Sequence, residues 1–227
     1  MTASHDTPST GKPLTLWRSR LDLAPRTQTA CVNVDQLHRF VLAGFTPAPG
    51  EERMPVLYAA QRATASRSQA TPRRAGRPQK ILVQSLAQPD WSRLEQDGLI
   101  TSTATQQVQQ HYRAGEPVEI RIIANPAFRE RTTGKRRAHT GTADHTRWLS
   151  RRLHDNGLDT DPERVVPSAP ATVTGQKKDG HRIHVAVCAF MAQGTVLDPG
   201  LFHRALTHGV GQGKAYGCGL LLTRRLL

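Results

Sequence analysis

The chain has 227 residues, which is enough for one large domain or two domains of about 100 residues each. Its 31 basic and 18 acidic residues leave a net charge of +13, while 37% hydrophobic and 22% charged residues are typical of a folded rather than a disordered protein. The longest apolar run, Val185–Ala192, has eight residues, too few for a membrane helix of about 20. Residues 1–12 lack an apolar signal core and the three cysteines lie far apart, so we expect a cytoplasmic protein with reduced thiols.

The first half of the chain predicts the order strand, helix, strand, strand, short helix, strand. Leu14–Leu23 alternates apolar with polar residues and ends before Pro25, as a half-buried strand does. Asn33 is placed to cap a helix with Gln36 at its third position, and apolar residues follow at helical spacing up to Phe45. The later predicted elements are strands over Met54–Ala60 and Lys80–Leu86, a turn or short helix over Pro89–Asp97, and a strand over Glu116–Ala124. This order is the split βαβ pattern of ferredoxin-like domains.

The second half predicts a similar unit. Thr142 is placed to cap a helix that runs to Asn156 and stops at Gly157. The later predicted elements are a hairpin of strands Ile183–Met191 and Gly194–Leu197 that turns at Gln193-Gly194, a helix from Asp198-Pro199 to His208-Gly209, and a closing strand over Gly219–Arg225. The predicted fold class is therefore α+β, with two tandem ferredoxin-like (RRM-like) βαββαβ domains. We expect a tail over residues 1–12, a first domain over 13–127, a basic linker over 128–141 and a second domain over 142–227.

The positive charge is concentrated in two segments. Arg62–Lys80 contains six basic residues and no acidic one, and Arg121–Arg152 contains nine basic and two acidic residues. Together these segments account for the whole excess of +13. Because the charges of the rest of the chain cancel, two such basic segments favour a polyanion as the ligand. Nucleic acid fits better than a membrane surface because neither segment has a continuous apolar face. The first segment is either an RNA-contacting arm or an insertion without a role.

A glycine-rich segment, GVGQGKAYGCG over residues 209–219, lies between the last predicted helix and the last strand. Its five glycines, which let the main chain approach another group closely, are Gly209, Gly211, Gly213, Gly217 and Gly219. A Walker phosphate loop is excluded because His208 and Ala215 occupy the positions of its first glycine and its Ser or Thr. A Rossmann loop needs the opposite order of strand and helix. Spacing alone supports a tight structural connection and a role at RNA equally.

The spacing of this segment is Gly-hydrophobic-Gly, five residues, Gly-hydrophobic-Gly. It resembles the C-terminal signature of the RAMP superfamily of CRISPR systems, and the longer run GVGQGKAYGCGLLL is similar to the CasE-type (Cse-type) endoribonucleases of type I-E systems. Four further segments resemble the same family: LVQSLAQPDW from Leu82, IRIIANPAFR from Ile120, TGKRR from Thr133 and RWLSRRL from Arg147. The resemblance extends over nearly the whole chain from about Leu14.

The resemblance implies a metal-independent cleavage of CRISPR precursor RNA at the 3′ base of the repeat hairpin, with no cofactor. In this reaction the ribose 2′-OH attacks the adjacent phosphorus, which needs proton transfer at two oxygens and positive charge beside the phosphorane. The family carries its catalytic histidine on the first helix, which identifies His38, and a histidine suits either proton transfer near neutral pH. Position alone favours an ordinary surface histidine. The family further implies that the product stays bound within a surveillance complex of type I-E subunits.

The sequence departs from the family three residues before His38. Many members carry a tyrosine there, and this chain has Asp35. Either Asp35 favours the charged imidazolium of His38, or it only complements the dipole in the first turn of the helix. Lys214 in the glycine-rich segment is the candidate for holding the phosphate. No acidic cluster indicates a two-metal nuclease, so we expect no metal site.

Six basic side chains of the second segment are candidates for tracking the RNA stem, since an A-form duplex is bound mainly through its shape and phosphates. They are Lys135, Arg136, Arg137, Arg147, Arg151 and Arg152. Ordinary solvated helix-surface arginines are the competing interpretation. Two other functions remain open: a non-catalytic subunit that binds the RNA hairpin, and a basic ribosome-associated protein without preference for the hairpin.

Overall fold

The computed structural model describes residues 13–45, 54–62 and 73–226. The predicted tail over residues 1–12 and residues 63–72 of the first basic segment lie outside these ranges. The strands are β1 (Leu14–Leu23), β2 (Val56–Arg62), β3 (Arg73–Arg74), β4 (Pro78–Ser85), β5 (Ile100–Gln110), β6 (Pro117–Ala124), β7 (Ala127–Arg129), β8 (Arg136–Ala138), β9 (Leu158–Asp159), β10 (Val165–Pro167), β11 (Ala171–Gln176), β12 (Arg182–Val196) and β13 (Leu222–Arg225). The helices are α1 (Pro25–Ala30), α2 (Val34–Leu42), α3 (Ser92–Gln96), α4 (Thr142–His154) and α5 (Pro199–His208), with short 3-10 turns at Pro162–Arg164 and Lys214–Tyr216.

The first sheet has four antiparallel strands in the order β2-β4-β1-β5. Buried side chains of β1 and β4, including Leu21 and Ile81, pack against Leu37 of α2 and Leu94 of α3 in one hydrophobic core. The chain order β1-α2-β2-β4-α3-β5 is the βαββαβ order of a ferredoxin-like unit. The predicted α+β fold class is confirmed.

The second sheet joins β13, β6, β12 and β11 in that order, with β3 at its edge. The prediction that Glu116–Ala124 closes the first domain is therefore wrong, because β6 opens the second sheet and β5 closes the first. The residues of a strand show whether apolar and polar side chains alternate along it, but they do not show which strand pairs with it. β5 was not predicted because Thr, Ser and Gln predominate in it and most of its side chains are exposed.

The predicted hairpin at Gln193-Gly194 is also wrong. β12 runs without interruption through both residues, and its hairpin partner is β11. Gly194 is needed for a close approach rather than for a turn. A Cβ there would lie 2.3 Å from the Asp159 carbonyl oxygen and 2.5 Å from Thr160 Oγ1.

The connection between the two units is folded. β7 and β8 form an antiparallel hairpin over much of the segment predicted as a basic linker. α4 begins at Thr142, but Gly141 occupies the N-cap position and no side chain caps the helix. Instead, Nε2 of His145 on α4 donates to the His139 carbonyl at 2.8 Å, which attaches the end of the hairpin to the helix.

Three hydrophobic clusters hold the molecule together. One lies in each unit, and in the second unit α4 and α5 pack on β6 and β12. The third joins the units: Val34 of α2 packs with Ile183 and Val185 of β12 and with Cys218 of the glycine-rich segment. None of the helices in the described ranges is long and apolar enough to cross a membrane.

Candidate active site and nucleic-acid interface

Helix α2 positions His38 at the edge of a buried stripe. Asn33 Oδ1 accepts a hydrogen bond from the Asp35 main-chain N–H at 3.0 Å, which confirms the predicted cap. Leu37 and Val41 are fully buried, and His38 is half-buried beside them. The imidazole stacks on the ring of Tyr58 in β2, with centroids 6.4 Å apart and planes inclined by 22°.

Tyr58 connects this stack to the other end of the chain. Its hydroxyl donates to the Ala215 carbonyl oxygen at 2.7 Å. Burial raises the pKa of Tyr58 well above its ordinary value, so the phenol stays protonated at neutral pH and is not a base there. Sequence reasoning missed Tyr58 because its role depends on a contact with a residue 157 positions away.

The glycine-rich segment folds tightly against both units. All five glycines have positive φ, from 74° at Gly209 to 89° at Gly219. A Cβ on Gly209 would lie 2.8 Å from Leu57 Cδ2 in β2, and one on Gly217 would lie 3.2 Å from Tyr58 Cε2. The segment therefore connects the last helix and strand of the second unit while packing closely against Leu57 and Tyr58 of the first.

The 3-10 turn Lys214–Tyr216 in this segment contacts α2. The structure thus brings the predicted glycine-rich segment and the helix that bears His38 to one place, and the half-buried Lys214 lies in the part that touches the helix. Asp35 forms an ion pair with Arg39 Nε at 3.1 Å, one turn along α2.

The six candidate RNA-binding residues are exposed and fall on two neighbouring elements, the β7–β8 hairpin and α4. Burial lowers the pKa of His139, at the end of the hairpin, and Arg147 and Arg151 of α4 lower it further because they lie close to it. The hydrogen bond between His145 of α4 and the His139 carbonyl at the end of the hairpin places these two basic elements next to each other. Three of the six are paired with carboxylates: Arg137 with Glu130, Arg147 with Asp144 and Arg152 with Asp155.

A second set of cations was not singled out from the sequence. Lys177 and Lys178 are exposed in the turn between β11 and β12. Asn33 Nδ2 donates to the Gln176 carbonyl oxygen at 3.1 Å, so this turn is attached to the beginning of α2. These two lysines were not found from the sequence because it predicted a different hairpin partner for β12.

No group of three or more His, Cys, Asp or Glu side chains suited to hold a metal ion occurs within residues 13–45, 54–62 and 73–226. All three cysteines are buried and free, and burial raises the pKa of the Cys31 thiol to about 11. These thiols are therefore protonated at neutral pH.

Comparison with known proteins gives consistent matches over nearly the whole chain. The chain is 30% identical over 218 residues to the CRISPR-associated endoribonuclease Cse3 of Thermus thermophilus, covering 91% of this chain and 98% of that protein. The structure of Thermus thermophilus Cse3 bound to an RNA representing a pre-cleavage complex superposes with a TM-score of 0.78 at 29% identity, over 93% of this chain and 100% of that one.

A chain of a CRISPR RNA-guided surveillance complex has a TM-score of 0.65 at 22% identity, over 94% of this chain and 100% of that one, and shares the fold. The family described as CRISPR associated protein matches residues 16–225. The family match, the identity to Cse3 and the resemblance of the motifs agree. This chain belongs to the CRISPR-associated protein family that includes the Cse3 endoribonucleases.

Proposed function

We propose that this protein is a cytoplasmic endoribonuclease that cleaves CRISPR precursor RNA at the 3′ base of the repeat hairpin and stays bound to the mature guide RNA as a subunit of an RNA-guided surveillance complex. The observation that carries the proposal is the meeting of the His38-bearing helix with the glycine-rich segment, joined through the hydrogen bond from Tyr58 to Ala215. It is supported by the 30% identity to a named endoribonuclease.

His38 is the residue proposed to move a proton. The ribose 2′-OH loses its proton and attacks the adjacent phosphorus, the bond to the 5′-oxygen breaks, and that oxygen gains a proton. The imidazole serves at either oxygen, and Asp35 on the same helix is its proposed support. Because the nucleophile belongs to the substrate, the reaction needs no metal-bound water.

Positive charge near the phosphate comes from the parts of the chain that meet α2. Lys214 lies in the turn of the glycine-rich segment that contacts the helix, and it is the proposed source of this charge. Charge placed before the reaction stabilises the phosphorane, where negative charge develops. The exposed residues of the β7–β8 hairpin and α4 are proposed to bind the stem phosphates.

The test is the His38→Ala variant with a labelled repeat hairpin in EDTA. We expect cleavage to fall about 10²-fold or more while hairpin binding is retained. The matched control is His111→Ala, which removes a half-exposed histidine after β5 and is expected to cleave normally. Undiminished cleavage by the His38 variant would remove this residue from the mechanism, and loss of wild-type cleavage in EDTA would contradict metal independence.

The second candidate function is a non-catalytic subunit that binds the hairpin. It is favoured by Asp35, which occupies the position of the family's tyrosine, and by the engagement of the Tyr58 hydroxyl with Ala215. Tight hairpin binding without any cleavage by the wild-type protein would select this alternative. Equal binding of unrelated RNA would instead indicate a general basic RNA-binding protein.

A further inference from the structure

A polar groove of about 830 Å³ lies between the corner of α1 and α2 and the ribbon formed by β11 and β12. This volume falls within the range of about 300–1,000 Å³ that is typical of ligand sites. Asn33 and Gln36 line one side, and Thr174, Arg182 and His184 line the other. None of the residues that line the groove is acidic, so it offers hydrogen-bonding groups and positive charge without repelling an anion.

The side of the groove formed by β11 and β12 is a paired two-stranded ribbon with a regular register. Thr174 lies directly opposite His184, and Gln176 lies directly opposite Arg182, in the antiparallel register of β11 and β12. Side chains at directly opposed positions lie on the same face of a ribbon and contact one another. Arg182 and His184 are exposed, and Arg182 forms no ion pair with any residue in the described ranges.

The ribbon of β11 and β12 contacts the beginning of helix α2 closely. A Cβ on Gly175 would lie 2.5 Å from Asn33 Oδ1, and the same oxygen accepts a hydrogen bond from the Gln176 main-chain N–H at 3.2 Å. Gln36 and His38 are two positions apart on α2, which separates them by about 200° around the helix axis. The groove and His38 therefore lie on opposite flanks of the same helix.

The contacts around the β7–β8 hairpin, where the stem is proposed to bind, indicate which part of the RNA the groove could reach. A Cβ on Gly213 of the glycine-rich segment would lie 3.7 Å from the Cβ of Asn125, close to the start of β7. Contacts therefore lead from the residue before the basic hairpin to the glycine-rich segment, from that segment to α2, and from α2 to the groove. An RNA strand that leaves a stem on the basic hairpin, passes His38 and crosses α2 would reach the groove.

We propose that this groove binds the unpaired nucleotides that follow the cleaved bond on its 3′ side. The proposal rests on the proposed function and deepens it by naming where the downstream strand is held. Arg182 suits a phosphate, while the imidazole of His184 and the guanidinium of Arg182 both suit stacking on a base. Gln36 and Thr174 add hydrogen-bonding groups for base edges.

The test compares RNAs that carry a 2′-deoxy nucleotide before the cleavage site, because the missing 2′-OH leaves binding to be measured without cleavage. One RNA ends at the cleavage site, a second adds a short 3′ single strand, and a third adds a 5′ single strand of equal length. For the wild-type protein we expect the 3′ addition to strengthen binding about tenfold, since a single stacked base is enough for this gain.

The Arg182→Gln and His184→Ala double variant is expected to lose that gain and to bind the RNA without a 3′ strand as the wild-type protein does. Retained binding of that RNA shows that the variant is folded. The control is Arg204→Gln, which removes an exposed arginine of α5 and is expected to keep the gain. The proposal is overturned if the wild-type protein shows no gain, if only the 5′ strand produces it, or if the double variant keeps it. Because no cleavage is measured, these outcomes are distinct from failure of the His38 test.

Discussion

Helices α2 and α4 occupy equivalent places in the βαββαβ order of the two ferredoxin-like units and differ in the side chains that they carry. α2 has nine residues and carries His38, and its single arginine, Arg39, is paired with Asp35. α4 has 13 residues and exposes Arg147, Arg151 and Arg152. One fold, present twice, thus carries the proposed proton-transfer group in one unit and the proposed RNA-binding charge in the other.

This division predicts that changes near α2 act on the cleavage rate and that changes on α4 and its hairpin act on affinity. The junction between the units belongs to neither class. There the glycine-rich segment of the second unit packs against β2 and α2 of the first, so a change at the junction is expected to act on stability and cleavage together.

The largest effect on stability is expected from Gly209→Ala. Gly209 has φ of 74° and ψ of 162°, and a Cβ there would lie 2.9 Å from the Gly219 carbonyl oxygen. Such backbone strain costs about 1–3 kcal/mol, and the clash with main chain adds to it, so we expect a loss of about 3 kcal/mol or more in urea unfolding. The matched control is Gly115→Ala, where φ is 82° but nothing lies within 4 Å. Equal losses for the two variants would contradict the close packing of the junction.

The next largest effect concerns affinity. The Arg136→Gln and Arg151→Gln double variant removes two exposed guanidinium groups that have no carboxylate partner in the described ranges. We expect hairpin affinity to fall about tenfold, and the salt dependence of binding to decrease by about 0.7–0.9 per lost phosphate contact. The cleavage rate at saturating protein should not change. Arg164→Gln, in the exposed 3-10 turn of the same unit, is the control; an equal effect there would indicate nonspecific charge.

A smaller effect is expected from Tyr58→Phe. The variant keeps the ring against His38 and removes the hydrogen bond to Ala215, so stability should fall by about 1 kcal/mol. Because the hydroxyl is buried and already donates to the Ala215 carbonyl oxygen, cleavage should fall much less than in the His38 variant. A loss of cleavage as large as that of His38→Ala, with unchanged stability, would instead assign the proton transfer to the tyrosine.

The smallest effect is expected from Glu119→Gln in β6. Arg224 of β13 donates to Glu119 Oε2 at 2.8 Å and holds the pKa of Glu119 below its ordinary value of 4.5. A carboxyl whose pKa is lower in the folded state contributes stability above its unfolded pKa, and this contribution is lost as the pH falls through the folded pKa. The difference in unfolding free energy between wild type and variant should therefore vanish in acid. A difference independent of pH would contradict the assignment.

The sequence predicted those elements whose boundaries are marked by their own residues. Asn33 caps α2, and Asp198 caps α5 through a hydrogen bond from the Leu201 main-chain N–H to Oδ1 at 2.9 Å. The glycine-rich segment could be found because five positions with positive φ require the residue that tolerates them. In each case the cause lies within a few residues of the element.

Features that depend on distant neighbours could not be predicted in this way. Gly194 suggested a turn, but the contact that requires glycine there is with Asp159. The strand β6 was found and assigned to the wrong sheet, because its pairing with β12 and β13 depends on residues far along the chain. His38 was identified by resemblance, while its neighbour Tyr58 and the groove beside α2 follow only from the folded arrangement.

The hydrogen bond between Tyr58 and Ala215 has a consequence for the timing of synthesis. Translation at about 5–20 residues per second needs roughly eight to thirty seconds to cover the 157 positions between its partners. A nascent chain that has folded its first unit already contains His38 and Tyr58 but lacks the glycine-rich segment that packs against α2 and Tyr58. Incomplete polypeptides therefore lack the contacts that bring the glycine-rich segment to α2, and we expect a prematurely released fragment not to cleave RNA.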